Sequence, residues 1–377
     1  VDGKTDSIEG NFALQDQLMA IQWVKRNIAN FGGDPDNITL IGQSAGAYSI
    51  AILMGSKMVP PNLFKRAVLM STPFNVLARR KEEMKMLGKG FAHKVGCVKQ
   101  ETNGSDYVDT SCLRKVSVLK LMCAQLKGMN RFGKGTKLAD LFLWWPHLDG
   151  QWLNENPLNM ILSRPQNAVP SIIGTTRDEG GLFTALLDMA IVGQLAGKRR
   201  TYGKTYIDGK IDQNFGRDAT TMGDMYTFGK DIKTNAEQLV RLATDYFFTC
   251  PTIHYATAVS VFKEVYVYDV SQLQHFLSFG LCNKRYVCHA SDLPLLWRPF
   301  FFPLTKKQQA VSERLINHVV GFANGDINQK STQPWPVFKS ASLTDGAYMD
   351  FGDIVQTRVG LRAATCPTWM TQLGHDW

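Results

Sequence analysis

Ile38-Thr39-Leu40-Ile41-Gly42-Gln43-Ser44-Ala45-Gly46-Ala47 is the stretch that decides how this chain is read. Ile38 to Ile41 is a short β-branched and apolar run, the pattern of a buried strand. Gly-x-Ser-x-Gly follows at once, and Ala47-Tyr48-Ser49-Ile50-Ala51-Ile52-Leu53-Met54 then reads as a helix. A strand that turns sharply into a helix, with a serine at the apex, holds the serine Oγ clear of its own backbone. The turn is tight, so a Cβ at Gly42 or at Gly46 is expected to crowd the neighbouring strand or helix. The N–H of Ala45, at the helix start, points where an oxyanion would form.

Upstream, Leu14, Leu18, Ile21, Val24, Ile28 and Phe31 recur at three- and four-residue spacing, one apolar face of a helix over residues 14 to 31. Gly32-Gly33-Asp34-Pro35 stops it. Downstream, Ala67-Val68-Leu69-Met70 is another short buried strand. Helix, strand, helix, strand in alternation implies an α/β chain with a mostly parallel sheet covered by helices on both faces. Val169 to Gly174 and Glu264 to Tyr268 read as further strands, and residues 306 to 323 as an amphipathic helix. Residues 190 to 230, rich in Gly, Lys, Thr and Asp, read as an insertion or long loop region.

Hydrophobic residues make up 44% of the 377 and charged residues 20%, enough for a sizeable core and too little charge for disorder. The net charge of +9 raises nucleic acid as a partner, but the basic residues are scattered, with only short clusters at Arg79-Arg80-Lys81 and Lys198-Arg199-Arg200. Solvated surface charge accounts for them, and no nucleic-acid partner is expected. No apolar run approaches the roughly 18 residues of a membrane-spanning helix. Val1-Asp2-Gly3-Lys4 carries neither an initiator Met nor a signal-peptide pattern, so processing or truncation upstream is expected. The seven cysteines include no Cys-x-x-Cys pair, which disfavours zinc and suits long-range disulfides plus an unpaired thiol. With the sequons at Asn37 and Asn103, they point to a secreted glycoprotein.

Gly10-Asn11-Phe12-Ala13-Leu14-Gln15-Asp16-Gln17, Ile21-Gln22-Trp23-Val24 and Asn30-Phe31-Gly32-Gly33-Asp34-Pro35-Asp36-Asn37-Ile38-Thr39 lead into the serine turn. Together with it they resemble the type-B carboxylesterase (cholinesterase-like) family of α/β-hydrolases, whose wording is G-N-x-G-L-x-D-Q, A-L-x-W-V and N-I-x-x-F-G-G-D-P-x-x-V-T-L-x-G-E-S-A-G. Two positions depart from it: Gln43 stands where most members have Glu, and Ala13 where the family has Gly. Further on, Trp145-Pro146-His147-Leu148-Asp149-Gly150 is similar to the family's P-V-x-D-G. Thr175 to Gly180 resembles G-x-x-x-D-E-G, Thr244 to Pro251 resembles D-x-x-F-x-C-P, and His289 to Leu293 resembles H-x-x-[DE]-L.

The resemblance implies an α/β-hydrolase fold in a single domain over residues 1–377, lacking the family's N-terminal strands and its glycine-rich oxyanion loop. Disulfides Cys97–Cys112 and Cys250–Cys366 are implied by the family likeness around each pair, with Cys123, Cys282 and Cys288 unassigned. A small-molecule ester is the implied substrate, and no cofactor or metal is required.

A serine hydroxyl is a poor nucleophile until a base titrating near neutrality takes its proton, and a carboxylate must hold that base in one tautomer. In α/β-hydrolases the chain order is serine, acid, histidine. The residues alone leave Asp178 and Glu179 nearly even as the acid, and leave His254, His275, His289, His318 and His375 as bases to choose among. The resemblance selects Glu179 and His289, each just beyond a predicted strand. Asp178 then reads as a turn or helix-cap carboxylate. Ser71, beside a strand but without the glycine elbow, is the weaker nucleophile. Gln43 joins the implied site as a substrate-binding residue; it keeps the size and hydrogen bonding of Glu without the charge, which favours a neutral ester over a choline ester. The alternative on the same scaffold is a non-catalytic structural or adhesion protein, or an inactive fragment. Such family members typically lose the serine that is present here.

Overall fold

Leu14 and Leu18, one helical turn apart, are the buried face of α1 (Phe12–Asn27). They belong to a computed structural model that describes residues 10–100, 104–129, 144–183, 219–226, 234–273, 286–299, 303–339 and 344–373, with a few isolated residues between 205 and 212. The sequence pattern carries the apolar stripe on to Phe31. Instead a 3₁₀ turn, Ile28–Phe31, ends the helix; three residues per turn break the 3.6-residue stripe, and Phe31 is 71% exposed.

After the 3₁₀ turn come β1 (Thr39–Gln43), α2 (Ala45–Gly55) and β2 (Arg66–Met70). An excursion leaves the sheet through β3 (Arg79–Arg80), α3 (Lys81–Val95), β4 (Val98–Gln100), β5 (Asp106–Val108), α4 (Thr110–Lys115), α5 (Val118–Met129) and β6 (His147–Leu148). It returns through α6 (Pro157–Ser163) to β7 (Ser171–Thr176). Beyond that lie α7 (Ala219–Asp224), α8 (Asn235–Thr244), a π-helical turn (Asp245–Thr249), α9 (Cys250–Ser260) and β8 (Val265–Val270). The chain ends through α10 (Leu293–Trp297), α11 (Lys306–Ala323), β9 (Ala347–Phe351), β10 (Val355–Val359) and α12 (Cys366–Leu373).

The main sheet has the order β1-β2-β7-β8-β9-β10. Its first five strands run parallel, and β10 turns back antiparallel on β9. Alternate residues of one strand point to opposite faces, and here each face has its own core. Ala67, Leu69, Ile173, Val265 and Val267 pack with α2 and α9. Val68, Met70, Ile172, Tyr266 and Tyr268 pack with Val311, Leu315 and Val319 of α11. This is why β7 and β8 are buried from end to end.

Two disulfides pin the periphery. Cys97–Cys112 closes a short loop in the excursion, and Cys250–Cys366 ties α9 to α12. Beside the second, Asp245 accepts hydrogen bonds from Tyr226 and Thr365 and pairs with Arg362 at 3.0 Å. Cys288 is also disulfide-bonded, to a partner outside the described residues, while Cys123 is a free, exposed thiol. Among the described residues no helix is long and apolar enough to cross a membrane. Sequon residue Asn37 is exposed; Asn103, and most of residues 190–230, lie outside the described residues.

Candidate active site

Ser44 is the N-cap of α2, with φ 57° and ψ −119°, a backbone conformation that costs a non-glycine residue energy and that recurs at functional sites. Its N–H donates to the Met70 carbonyl at 2.8 Å, so the end of β2 holds the turn in place. A Cβ at Gly42 would lie 2.5 Å from the Gly46 carbonyl carbon, so only glycine fits there. The turn pattern places the same demand on Gly46, and the structure corrects it: a Cβ on Gly46 would meet nothing within 4 Å. The crowding is one-sided, because it is the Gly46 backbone that approaches Gly42. Ala45 opens α2, and its N–H is one of the helix's first-turn donors without an intrahelical partner.

Glu179 sits in the turn after β7, fully buried. Its Oε1 accepts from the Thr176 N–H at 2.7 Å, and its Oε2 lies 2.5 Å from His289 Nδ1. His289 stands 110 residues further along the chain and is 4% exposed. With Nδ1–H donating to the carboxylate, the ring presents the Nε2 lone pair. The side-chain amide of Gln43 lies 3.2 Å from that nitrogen. Ser44, the next residue, is half-buried, and no hydrogen bond joins its Oγ to His289. The structure therefore brings Glu179, His289 and Gln43 into contact and sets Ser44 next to Gln43, with the Gln43 amide on His289 Nε2.

Two aromatic rings not singled out in the sequence pack against His289. The rings of Phe183 and Phe248, stacked on each other at 5.4 Å, both lie against the imidazole, with centroids 5.1 and 5.0 Å from it. Phe248 lies inside the family-like stretch Thr244–Pro251, which could have pointed to it; nothing in the sequence points to Phe183. Ala290, directly after the histidine, has φ 69°. Behind it, Asp292 accepts a hydrogen bond from Tyr268 at 2.9 Å. Burial, reinforced by the nearby Glu179 charge, pushes the Asp292 carboxyl up to about 6. Tyr268 fits because its β7 neighbour is Gly174, where any side chain would overlap its ring.

Asp178 is neither a cap nor a partner of the histidine. Its Oδ2 accepts from Arg177 Nε and from the Val287 N–H, both at 2.9 Å, and its own N–H donates to the Val287 carbonyl at 3.0 Å. It fastens the chain two residues before His289. Ser71 is fully buried, and its Oγ has no hydrogen-bond partner. His318 on α11 has Nδ1 2.9 Å from the Ile327 carbonyl, and His254 lies on α9, where burial lowers its proton affinity. His275 and His375 lie outside the described residues. Among the described residues no group of three His, Cys, Asp or Glu is arranged to hold a metal ion.

Residues 2–369 match the sequence profile described as the Carboxylesterase family. The chain is similar to the Crystal protein of Dictyostelium discoideum, 31% identical over 328 residues that are 84% of this chain and 56% of that protein. It is similar to the para-nitrobenzyl esterase of Bacillus subtilis, 28% identical over 78% of this chain and 53% of that enzyme. The chain thus spans about half the length of these curated relatives. In three dimensions it is similar to a PNB esterase structure, with TM-score 0.72 and 23% identity, covering 94% of this chain and 68% of that one. That likeness is one of fold, and it is the α/β-hydrolase fold.

Proposed function

The chain belongs to the carboxylesterase family, and on that footing we propose that it cleaves carboxylic esters through an acyl-enzyme on Ser44, in a single domain over residues 1–377. One observation carries the reading: His289 is held at Nδ1 by a buried carboxylate, while its other nitrogen faces the residue adjoining a serine in a strained turn. In the mechanism, Ser44 Oγ displaces the Gln43 amide from Nε2 and gives up its proton to His289 as it attacks the ester carbonyl. Glu179 fixes the tautomer that leaves Nε2 free and stabilises the ring while it is charged. The Ala45 N–H donates to the oxyanion. His289 protonates the departing alcohol, and water then repeats the sequence in reverse on the acyl group. The chemistry calls for no cofactor.

The substrate is a small neutral ester, because Gln43 places an uncharged amide where a carboxylate would draw a cationic alcohol. The disulfides and the exposed Asn37 sequon support passage through the secretory pathway. Hydrolysis of p-nitrophenyl acetate tests the reading: turnover by the wild type that is lost in Ser44→Ala supports it, and equal turnover by the two overturns it.

A further inference from the structure

Helix α5 is apolar on the wrong side. Its inward residues, Leu121 and Ala124, pack with Val95 and Phe91 of α3 in a small core of their own. The opposite side carries Val118 at 71% exposure, Leu119 at 72% and Met122 at 53%, spaced so that they share the face turned away from that core. A helix on the surface of a globular domain ordinarily turns charge outward. Two more large apolar side chains stand out from the same excursion. Met86 on α3 is 70% exposed, and Trp144 is 42% exposed with its ring edge-on to Phe91 at 5.4 Å.

The same segment is basic. Residues 79 to 120 hold ten lysines and arginines against five acidic residues, more than half of the chain's excess of +9. Two of those acids, Asp106 and Asp109, are engaged locally by Lys89 and Lys99. Arg114 and Lys115 end α4, immediately before the exposed apolar face, and are exposed themselves. Protruding aliphatic and indole side chains within a basic surround match a surface that offers hydrocarbon just beneath negative charge.

We propose that the α3–α5 excursion docks on an anionic lipid surface, with Val118, Leu119 and Met122 entering the headgroup–acyl boundary and the surrounding lysines and arginines meeting lipid phosphates and carboxylates. The proposal concerns binding and stands independently of the esterase reading.

The test uses the full chain with phosphatidylcholine vesicles, with and without phosphatidylserine, read by co-sedimentation. An environment-sensitive fluorophore on Cys123, exposed on the same helix, gives a second signal. The wild type is expected to partition onto the anionic vesicles, less so as salt rises, with the fluorophore emission shifting to the blue. Leu119→Asp with Met122→Asp lowers the partition coefficient about tenfold or more, as does Arg114→Glu with Lys115→Glu, which leaves the apolar face intact. Far-UV circular dichroism identifies whichever pair keeps the wild-type fold, and that pair is the one compared with wild type. Equal partitioning of wild type onto neutral and anionic vesicles overturns the proposal, as does equal partitioning of wild type and the folded variant. Self-association through this face without lipid binding overturns it in favour of a second copy of the chain.

Discussion

Gln43 and His289 meet through the side-chain amide of one and Nε2 of the other, 3.2 Å apart and 246 residues apart in sequence. A neutral imidazole that donates from Nδ1 can only accept at Nε2, so the amide is the donor. In the proposed mechanism this contact opens before Ser44 uses the nitrogen.

Gln43→Glu puts a negative charge where the amide stands in the proposed site. The same variant improves a cationic ester more than a neutral one. Comparing acetylthiocholine with its uncharged isostere checks the effect. A wild type that already prefers the cation strongly would remove the basis for a neutral substrate.

Glu179→Gln and Asp178→Asn separate the two adjacent acids. Losing the Glu179 charge leaves His289 with the wrong tautomer and an unstabilised cation, an expected loss in kcat of about 10³–10⁴ with the fold retained. Asp178 binds Arg177 and the Val287 N–H, so Asp178→Asn costs about 2 kcal/mol of stability, a figure discounted for the solvent reaching Arg177, and far less in kcat. Parallel urea denaturation and steady-state kinetics distinguish the outcomes; a larger kcat loss in Asp178→Asn would exchange the roles.

Asp269 gives the stability a pH dependence. Burial, partly opposed by Arg362 and reinforced by Asp350 and Asp178, pushes its carboxyl up to about 7. The unfolded carboxyl titrates at about 3.9, so between those values the folded state holds a proton that the unfolded state has released. The contribution is thus complete below about pH 4 and is lost as pH rises to about 7. Asp269→Asn should match the wild type near pH 4 and exceed it in urea midpoint at pH 8. A gap that shrinks as pH rises would contradict the assignment.

The two disulfides differ in the loops they close, 15 and 116 residues. The loop-entropy relation gives about 3 kcal/mol for the first and about 4–5 kcal/mol for the second. Cys97→Ala with Cys112→Ala is expected to destabilise less than Cys250→Ala with Cys366→Ala, measured by urea unfolding of otherwise oxidised protein. The reverse order would mean that strain or residual structure outweighs loop length.

The sheet is legible in the sequence because β7 carries Ile172-Ile173 among β-branched neighbours and β8 alternates Val and Tyr, both patterns of buried strands. The Ser44 turn is legible because Gly42 answers to a close backbone approach. Phe31 escapes a helical reading because a 3₁₀ turn replaces the helical period at that point. Composition alone cannot rank Asp178 against Glu179, since adjacent side chains diverge in the fold, one toward Arg177 and the other toward His289. The contacts of Gln43 with His289, Phe183 with the imidazole, and Tyr268 with Asp292 join distant segments, and no spacing within the chain encodes them.

Covalent capture at Ser44 tests the proposed chemistry most directly. A fluorophosphonate probe reacts only with a serine whose proton has somewhere to go, and peptide mass spectrometry locates the adduct. One adduct is expected, on Ser44, absent in Ser44→Ala and formed much more slowly in His289→Ala. Labelling that persists undiminished in Ser44→Ala, or folded wild type that is not labelled at all, would contradict the serine mechanism.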